Sequence, residues 1–146
     1  METRTAIFSK LVRDFMRGVP LAVPQGASLG ETAERMNGEN ASSATVTDAE
    51  GRPAGIVTEQ DITRRAAFKL GAETPVDEVM TVPVQTIHDG EYLYYAIARM
   101  RRRGLRHMPV VDGEGRLCGM LNLHDALAAA SETLITDRRP DPGGKH

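Results

Sequence analysis

The sequence is poor in cysteine and aromatic residues, and these shortages exclude several kinds of protein. It contains one cysteine, Cys118, and no tryptophan among its 146 residues. A single cysteine excludes an intramolecular disulfide and a zinc site built from cysteine ligands. It also fits a protein kept in a reducing compartment, so the sequence predicts a cytoplasmic location.

Strong charge of one sign is also missing, as is any long apolar run. The formal net charge is −2, which gives no electrostatic attraction to nucleic acid or to an anionic membrane. No apolar stretch approaches the roughly 18 residues that a membrane-spanning helix needs, and no signal peptide is recognisable. We therefore expect neither nucleic acid nor membrane as a partner. Residues 136–146 are rich in Pro, Gly and charge, which predicts a disordered tail.

What the sequence does contain is an internal repeat. Residues 12–70 (copy one) align with residues 76–134 (copy two) without a gap, and fifteen of the 59 aligned pairs are identical. Either copy alone would bury little apolar surface, so we expect the two copies to pair into one body. Residues kept in both copies are predicted to serve the common fold, and residues that differ are where function is expected.

Both copies predict the same order of elements: a short helical segment, a short strand, a main helix, a two-stranded hairpin and a last helix. In copy two, Thr74 is the expected N-cap of the leading segment, with Pro75 at its first helical position. The main helices show apolar residues at helical spacing, and short turns containing Gly predict the hairpins. The predicted strands cover residues 21–23, 44–47 and 53–57 in copy one and 84–87, 108–111 and 117–121 in copy two.

A polar corner between the last strand and the last helix stands out in each copy. Copy one has Gly55, Thr58 and Asp61, and copy two has Gly119, Asn122 and Asp125. Free backbone N–H groups at a helix N-terminus suit an anion such as phosphate, and a carboxylate one turn later can accept from two vicinal hydroxyls. Glycine in the strand would leave room for such a ligand. The same spacing is also that of a capping box, which a helix needs with or without a ligand.

The ordered set of motifs resembles a tandem pair of CBS domains, a family named after cystathionine β-synthase. The resemblance rests on Val76-Asp-Glu-Val-Met80, Arg106-His-Met-Pro-Val-Val-Asp112 and Gly119–Asp125 in copy two. Copy one repeats it with Val12-Arg-Asp-Phe-Met16 and Gly55–Asp61. The resemblance implies an α+β fold of two CBS units, at residues 8–70 and 72–135. Each unit would be a short sheet with helices packed on it, and a pseudo-twofold axis would relate the two.

Members of this family often bind adenosine compounds in clefts between the two units. Carried over by motif, the resemblance implies that Thr58 meets a phosphate and Asp61 a ribose diol in one cleft, with Asp125 meeting ribose in the other. Arg106 and His107 precede a copy-two strand at a place where similar modules direct basic side chains at phosphates. A solvated edge is the alternative for that pair.

The sequence departs from the family pattern at two places, and both make the sites unequal. Asn122 stands where the family has Thr or Ser, which removes a hydroxyl from the copy-two corner. Ser42 and Ser43 stand opposite Arg106 and His107, in a strand that is small and polar where the family prefers apolar residues with Pro. We therefore expect the copy-one site to be the better one, with basic side chains supplied by copy two.

All three tyrosines of the chain, Tyr92, Tyr94 and Tyr95, fall at the start of the main helix of copy two. Their counterparts are Ser28, Gly30 and Glu31, so the common fold does not require them. Tyrosines are common in protein interfaces, which favours a homodimer through this region. Stacking on adenine and ordinary packing are the alternatives.

The sequence offers no assembled nucleophile, general base or metal site, so we do not expect an enzyme or a required cofactor. We predict a regulatory module that binds an adenine nucleotide (AMP, ADP or ATP) and acts on a separate, unidentified client protein. A ligand-free oligomerisation or interaction module and a binder of S-adenosylmethionine are the alternatives.

Overall fold

The computed structural model describes residues 9–18, 20–67 and 71–137. Two similar three-stranded sheets, each with helices packed on it, form the body of the molecule. The elements of copy one are β1 (Ala22–Pro24), α1 (Leu29–Gly38), β2 (Ser43–Thr47), β3 (Pro53–Thr58) and α2 (Glu59–Ala67). Those of copy two are β4 (Ile87–His88), α3 (Leu93–Arg103), β5 (His107–Val111), β6 (Leu117–Asn122) and α4 (Leu123–Asp137).

The two sheets have the same topology and the same register. In each, the short first strand runs parallel to the middle strand, and the middle strand forms an antiparallel hairpin with the last one. Ser43 pairs with Thr58 in one hairpin, and His107 pairs with Asn122 in the other. The predicted α+β fold of two related units is therefore confirmed.

Residues at the ends of the main helices have side chains or backbone conformations that cap a helix. The Ser28 hydroxyl accepts a hydrogen bond from the Glu31 backbone N–H at 3.1 Å, which caps α1. Gly104 ends α3 with a left-handed φ of 68°, a conformation that glycine adopts at little cost. The predicted apolar faces turn inward, since Leu29, Thr32 and Met36 in α1, and Leu93, Ala96 and Met100 in α3, are buried.

Two predictions about the start of copy two were wrong. Thr74 does not cap the leading segment. That segment is a 3₁₀ turn over Val76–Glu78 whose N-cap is Pro75, and the Thr74 carbonyl instead accepts from the Leu29 N–H at 2.7 Å. The strand predicted at residues 84–87 is shorter and begins later, since β4 covers only Ile87–His88.

Each copy places its leading 3₁₀ turn against the other copy. Val12 is buried in the apolar cluster of copy two, and Val76 is buried in a cluster of copy one. The exchange continues in the backbone, where Arg17 forms an antiparallel bridge with Met120 and Thr81 forms one with Ile56. The two copies therefore share their cores and form one body.

Candidate functional site

A cleft of about 830 Å³ opens between the two strand-to-helix corners. Its walls come from both copies. The copy-one side consists of Ser42, Ile56, Thr58, Glu59, Gln60, Asp61 and Arg64, and the copy-two sequence contributes Thr81, Gly104, Leu105, Arg106, His107, Asn122, Leu123, His124 and Leu127. A cleft of this size, with polar groups converging on it from two units, has the dimensions of a small-molecule site.

The copy-one corner is held by hydrogen bonds within its own helix start. Asp61 Oδ2 accepts from the Thr58 backbone N–H at 2.9 Å and from the Thr58 hydroxyl at 3.1 Å. The Asp61 N–H also approaches the Thr58 hydroxyl oxygen, at 3.2 Å, which completes a capping box. Both hydrogen bonds to the carboxylate use Oδ2, and none to Oδ1 is found among the residues that the structure describes, so Oδ1 can accept from a ligand.

The copy-two corner is held differently. The Asn122 side-chain oxygen accepts from the Asp125 N–H at 3.2 Å and caps α4. The Asp125 carboxylate turns to the other copy, where Oδ2 accepts from Arg17 Nε at 2.9 Å and lies 2.8 Å from Arg17 Nη2. Asp125 is therefore neutralised across the interface and does not line the cleft.

A second pair of polar residues joins the two copies at the edge of the cleft. Ser42 Oγ lies 2.9 Å from His107 Nε2, within hydrogen-bonding distance. The pKa of His107 is lowered, first by burial and then by the Arg106 charge, with a smaller opposing effect from Glu59. His107 is therefore held largely neutral at pH 7. Arg106 is exposed and provides a permanent positive charge beside it.

Comparison with known proteins agrees with this architecture. The sequence matches the CBS domain family twice, at residues 12–67 and at residues 76–132. The chain belongs to the CBS-domain family. Both halves of the protein are therefore CBS units, and the cleft lies between the two members of a CBS pair.

Several relatives and solved structures resemble the CBS pair closely. An uncharacterized 17.7 kDa protein of Acidianus ambivalens is 31% identical over 107 residues, which cover 73% of this chain and 65% of that protein. A CBS domain pair solved with 5′-methylthioadenosine and S-adenosyl-L-methionine is 25% identical with a TM-score of 0.74, over 89% of this chain and 98% of that one. A CBS domain protein of Pyrobaculum aerophilum complexed with AMP is also 25% identical with a TM-score of 0.74, over 84% of this chain and 98% of that one.

The curated relatives are generally longer than the region they share with this CBS pair. The chain spans 65%, 42% and 23% of the lengths of the first three. The relative covered to 23% is the homoserine O-acetyltransferase of Methanococcoides burtonii. CBS pairs therefore also occur within longer proteins that contain other regions.

The structure brings six of the nine predicted site residues to the cleft of the CBS pair. These are Ser42, Thr58, Asp61, Arg106, His107 and Asn122. Asp125 is paired with Arg17, and Ser43 is buried in β2. Gly55 is also buried, and a Cβ added there would overlap the side chain of Met80. The glycine in this strand therefore makes room for packing between the copies, where the sequence predicted room for a ligand.

Two residues that matter to the corners were missed at the level of sequence. Thr81 lines the cleft, and Arg17 occupies the equivalent position in the repeat and binds Asp125. Both directly follow a methionine shared by the two copies, and they differ from each other. The difference between Arg17 and Thr81 in the aligned copies was the signal that could have found them, because the two sites become unequal at residues that differ between the copies.

The tyrosines of α3 form an exposed group beside the body of the protein. Tyr92, Tyr94 and Tyr95 are 46%, 47% and 43% exposed, and the rings of Tyr92 and Tyr94 stack with centroids 5.7 Å apart. None of the three lines the cleft, so stacking on a ligand in this cleft is not the role that the structure gives them.

The remaining chemistry of the described residues is limited. They contain no group of three or more His, Cys, Asp or Glu side chains able to hold a metal ion. Burial raises the pKa of the Cys118 thiol, so the reactive thiolate form is disfavoured there. In the ranges that the structure describes, no helix is both long and apolar enough to cross a membrane.

Proposed function

We propose that this CBS pair is a regulatory module that binds an adenine nucleotide at the Thr58–Asp61 corner and acts on a separate partner protein. The observation that carries the proposal is the Asp61 carboxylate, which lines the cleft and whose Oδ1 accepts no hydrogen bond from the described residues. Solved CBS pairs of the same fold that hold AMP, or 5′-methylthioadenosine with S-adenosylmethionine, support an adenosine compound as the ligand.

The charges around the cleft favour a ligand that carries phosphate. Arg64 lines the copy-one wall one turn after Asp61, and Arg106 lines the copy-two wall beside the neutral His107. A ribose diol donating to Asp61 would leave the phosphate free to meet donors from either wall. This arrangement favours AMP, ADP or ATP over S-adenosylmethionine, which carries a sulfonium cation instead of phosphate.

A ligand that touches both walls can change the arrangement of the two copies. Its differential affinity for one arrangement shifts the population toward that arrangement, and a partner protein can sense the shift. The regulatory step proposed here is therefore a change in the relative position of the two CBS units, driven by binding energy and not by chemistry on the ligand.

Calorimetric titration with AMP, ATP and S-adenosylmethionine tests the proposal. Replacing Asp61 with Ala should weaken AMP binding about 10- to 100-fold, because hydrogen bonds to a charged group contribute roughly 1.5–3 kcal/mol. Asp125→Ala is the matched control and should change the affinity by less than about twofold, since Asp125 does not line the cleft.

The Asp61→Asn variant separates ligand binding from helix capping, because asparagine retains an oxygen that can accept from the Thr58 N–H. It should keep the thermal stability of the wild type and still lose AMP affinity. The absence of heat with all three ligands would refute the proposal, as would wild-type AMP affinity in both Asp61 variants.

A second candidate function is assembly through the tyrosine group. Three large side chains exposed side by side on α3 are typical of a protein interface, and they favour a homodimer as the unit that presents the CBS pair to its partner. Sedimentation should give a dimer for the wild type and a monomer after Tyr94→Ser and Tyr95→Ser together. A wild-type monomer at all concentrations would exclude this candidate.

A further inference from the structure

The two corners present their carboxylates to equivalent backbone positions of the opposite copy. Arg17 exchanges hydrogen bonds with Met120, N to O at 2.9 Å in both directions. Thr81 occupies the matching position, with its N–H 2.8 Å from the Ile56 carbonyl oxygen. The side chain at each position therefore starts from an equivalent place on the backbone of the opposite corner, and the two side chains differ in length and charge.

At the copy-one corner this side chain is a short threonine, and Asp61 lines the cleft. At the copy-two corner it is an arginine, and two of its nitrogens, Nε and Nη2, lie 2.9 and 2.8 Å from Asp125 Oδ2. At both corners two donors meet Oδ2, but those of Asp61 belong to Thr58 of its own helix start, whereas those of Asp125 belong to the opposite copy. Thr81 and Asp61 both line the cleft, whereas neither Arg17 nor Asp125 does. The guanidinium therefore holds Asp125 away from the cleft, where a ribose diol could reach it.

We infer that Arg17 closes the copy-two corner by occupying Asp125, so that the CBS pair takes one nucleotide and not two. The inference rests on the proposed function, and it identifies the residue that makes the two corners unequal. The guanidinium closes the corner because of where it lies, and the ion pair itself is weak. Its side chain is 71% exposed and that of Asp125 is 34% exposed, and an ion pair so open to water contributes little to folding.

Asn122 also distinguishes the copy-two corner, since it replaces the hydroxyl that Thr58 provides in copy one. It lines the cleft and caps α4, so its amide remains available beside the helix start. Asn122 therefore alters the phosphate end of a ligand, whereas Arg17 removes the acceptor for the ribose. The two effects can be separated by substitution.

The experiment is calorimetric stoichiometry with AMP on the full chain. The wild type should bind one equivalent, and Arg17→Thr, which copies the residue at position 81, should bind two. The reverse exchange, Thr81→Arg, should place a guanidinium against Asp61 and abolish binding. Arg13→Thr is the matched control, because Arg13 is an exposed arginine of the same leading segment that contacts Asp89, and it should leave one equivalent.

The outcomes separate this inference from the proposed function. Two equivalents bound by the wild type would overturn the inference and leave the proposed function standing. One equivalent in Arg17→Thr but two in Arg17→Thr/Asn122→Thr would overturn it by assigning the closure to Asn122. Weaker binding in Arg17→Thr would also overturn it, because Arg17 would then be a ligand contact. No binding by any of these proteins would overturn both.

Discussion

The two corners of the CBS pair share a fold but hold their carboxylates in opposite ways. Asp61 is fixed by Thr58, three residues earlier in the chain, and so it needs nothing from the other copy. Asp125 is fixed by Arg17, which lies 108 residues away in copy one. The difference teaches that the repeated sequence specifies the common scaffold, while a single long-range contact changes how one of two equivalent carboxylates is held.

A similar inequality exists between the two cores. Among the residues that the structure describes, the copy-two core is one cluster of nine buried residues, including Met100 and Val12, whereas that of copy one forms two smaller clusters that both contact Ile62. Met36, the counterpart of Met100, belongs to a cluster with Leu21 and Ala44. Copy two is therefore expected to be the more stable half and copy one the more adaptable half.

Truncating the two methionines tests that expectation and should have the largest effects. Replacing Met100 or Met36 with Ala should lower the free energy of unfolding by about 2–5 kcal/mol, with Met100→Ala at the upper end, because its surroundings are more continuous and collapse less. Urea denaturation measures both values. An equal or larger loss in Met36→Ala would show that the cores are equivalent.

The strand glycines should give the next largest effects. The three atoms nearest a Cβ at Gly55 all belong to the side chain of Met80, whereas those nearest a Cβ at Gly119 are two side-chain atoms of Met16 and the Arg17 carbonyl oxygen, 3.1 Å away. Overpacking typically costs about 1–3 kcal/mol, and a backbone atom cannot move aside as a methionine can.

Gly119→Ala should therefore lower the unfolding free energy more than Gly55→Ala. Combining each glycine substitution with alanine at its facing methionine isolates the overlap. The double variant at Gly55 should recover more of the lost unfolding free energy than the double variant at Gly119. The opposite order would contradict this explanation.

Removing the helix caps should have smaller effects. Thr58→Ala deletes both hydrogen bonds of the Thr58 hydroxyl with Asp61, and Asn122→Ala deletes one bond to the Asp125 N–H. Losing an N-cap typically costs about 1 kcal/mol of stability. We therefore expect Thr58→Ala to lower the free energy of unfolding slightly more than Asn122→Ala does. Thermal unfolding of the two variants side by side decides the order. A larger loss in Asn122→Ala would indicate that the Arg17–Asp125 pair depends on its cap.

The smallest expected effect is a pH dependence from His107. Burial and the Arg106 charge place its folded-state pKa below the unfolded value of about 6.5, so the unfolded chain binds the proton more readily. Stability from this group is therefore present above about pH 6.5 and is lost as the pH falls from there toward the folded-state pKa. The melting temperature should fall less in His107→Gln than in the wild type between about pH 7.5 and 5.5. Parallel curves would exclude His107 as the source.

Local signals in the sequence predicted most of the fold and one corner. Helical spacing and the glycine-containing turns predicted the elements, and the Thr58-x-x-Asp61 pattern predicted the capping box that the structure contains. These features depend on residues close together in the chain, and for that reason they could be predicted. Which side chains of the CBS pair bind a ligand stays a prediction.

Long-range features could not be predicted. The repeat aligns Arg17 with Thr81, but nothing in that alignment reveals that both reach the opposite copy. The same exchange explains Gly55, whose missing side chain was assigned to a ligand and instead accommodates Met80. The hydrogen bonds of Arg99 to the Thr86 carbonyl oxygen and of Arg35 to that of Ala22 were not predicted either.

The exchanged leading segments also have a consequence for how such a protein can diverge. If the body were built from two identical chains, a substitution at the position of Arg17 would change both corners together. Because both units belong to one chain, Arg17 can alter the corner of copy two while Thr81 keeps that of copy one unchanged. Covalent linkage of the repeat thus frees each half to vary separately without breaking the shared interior.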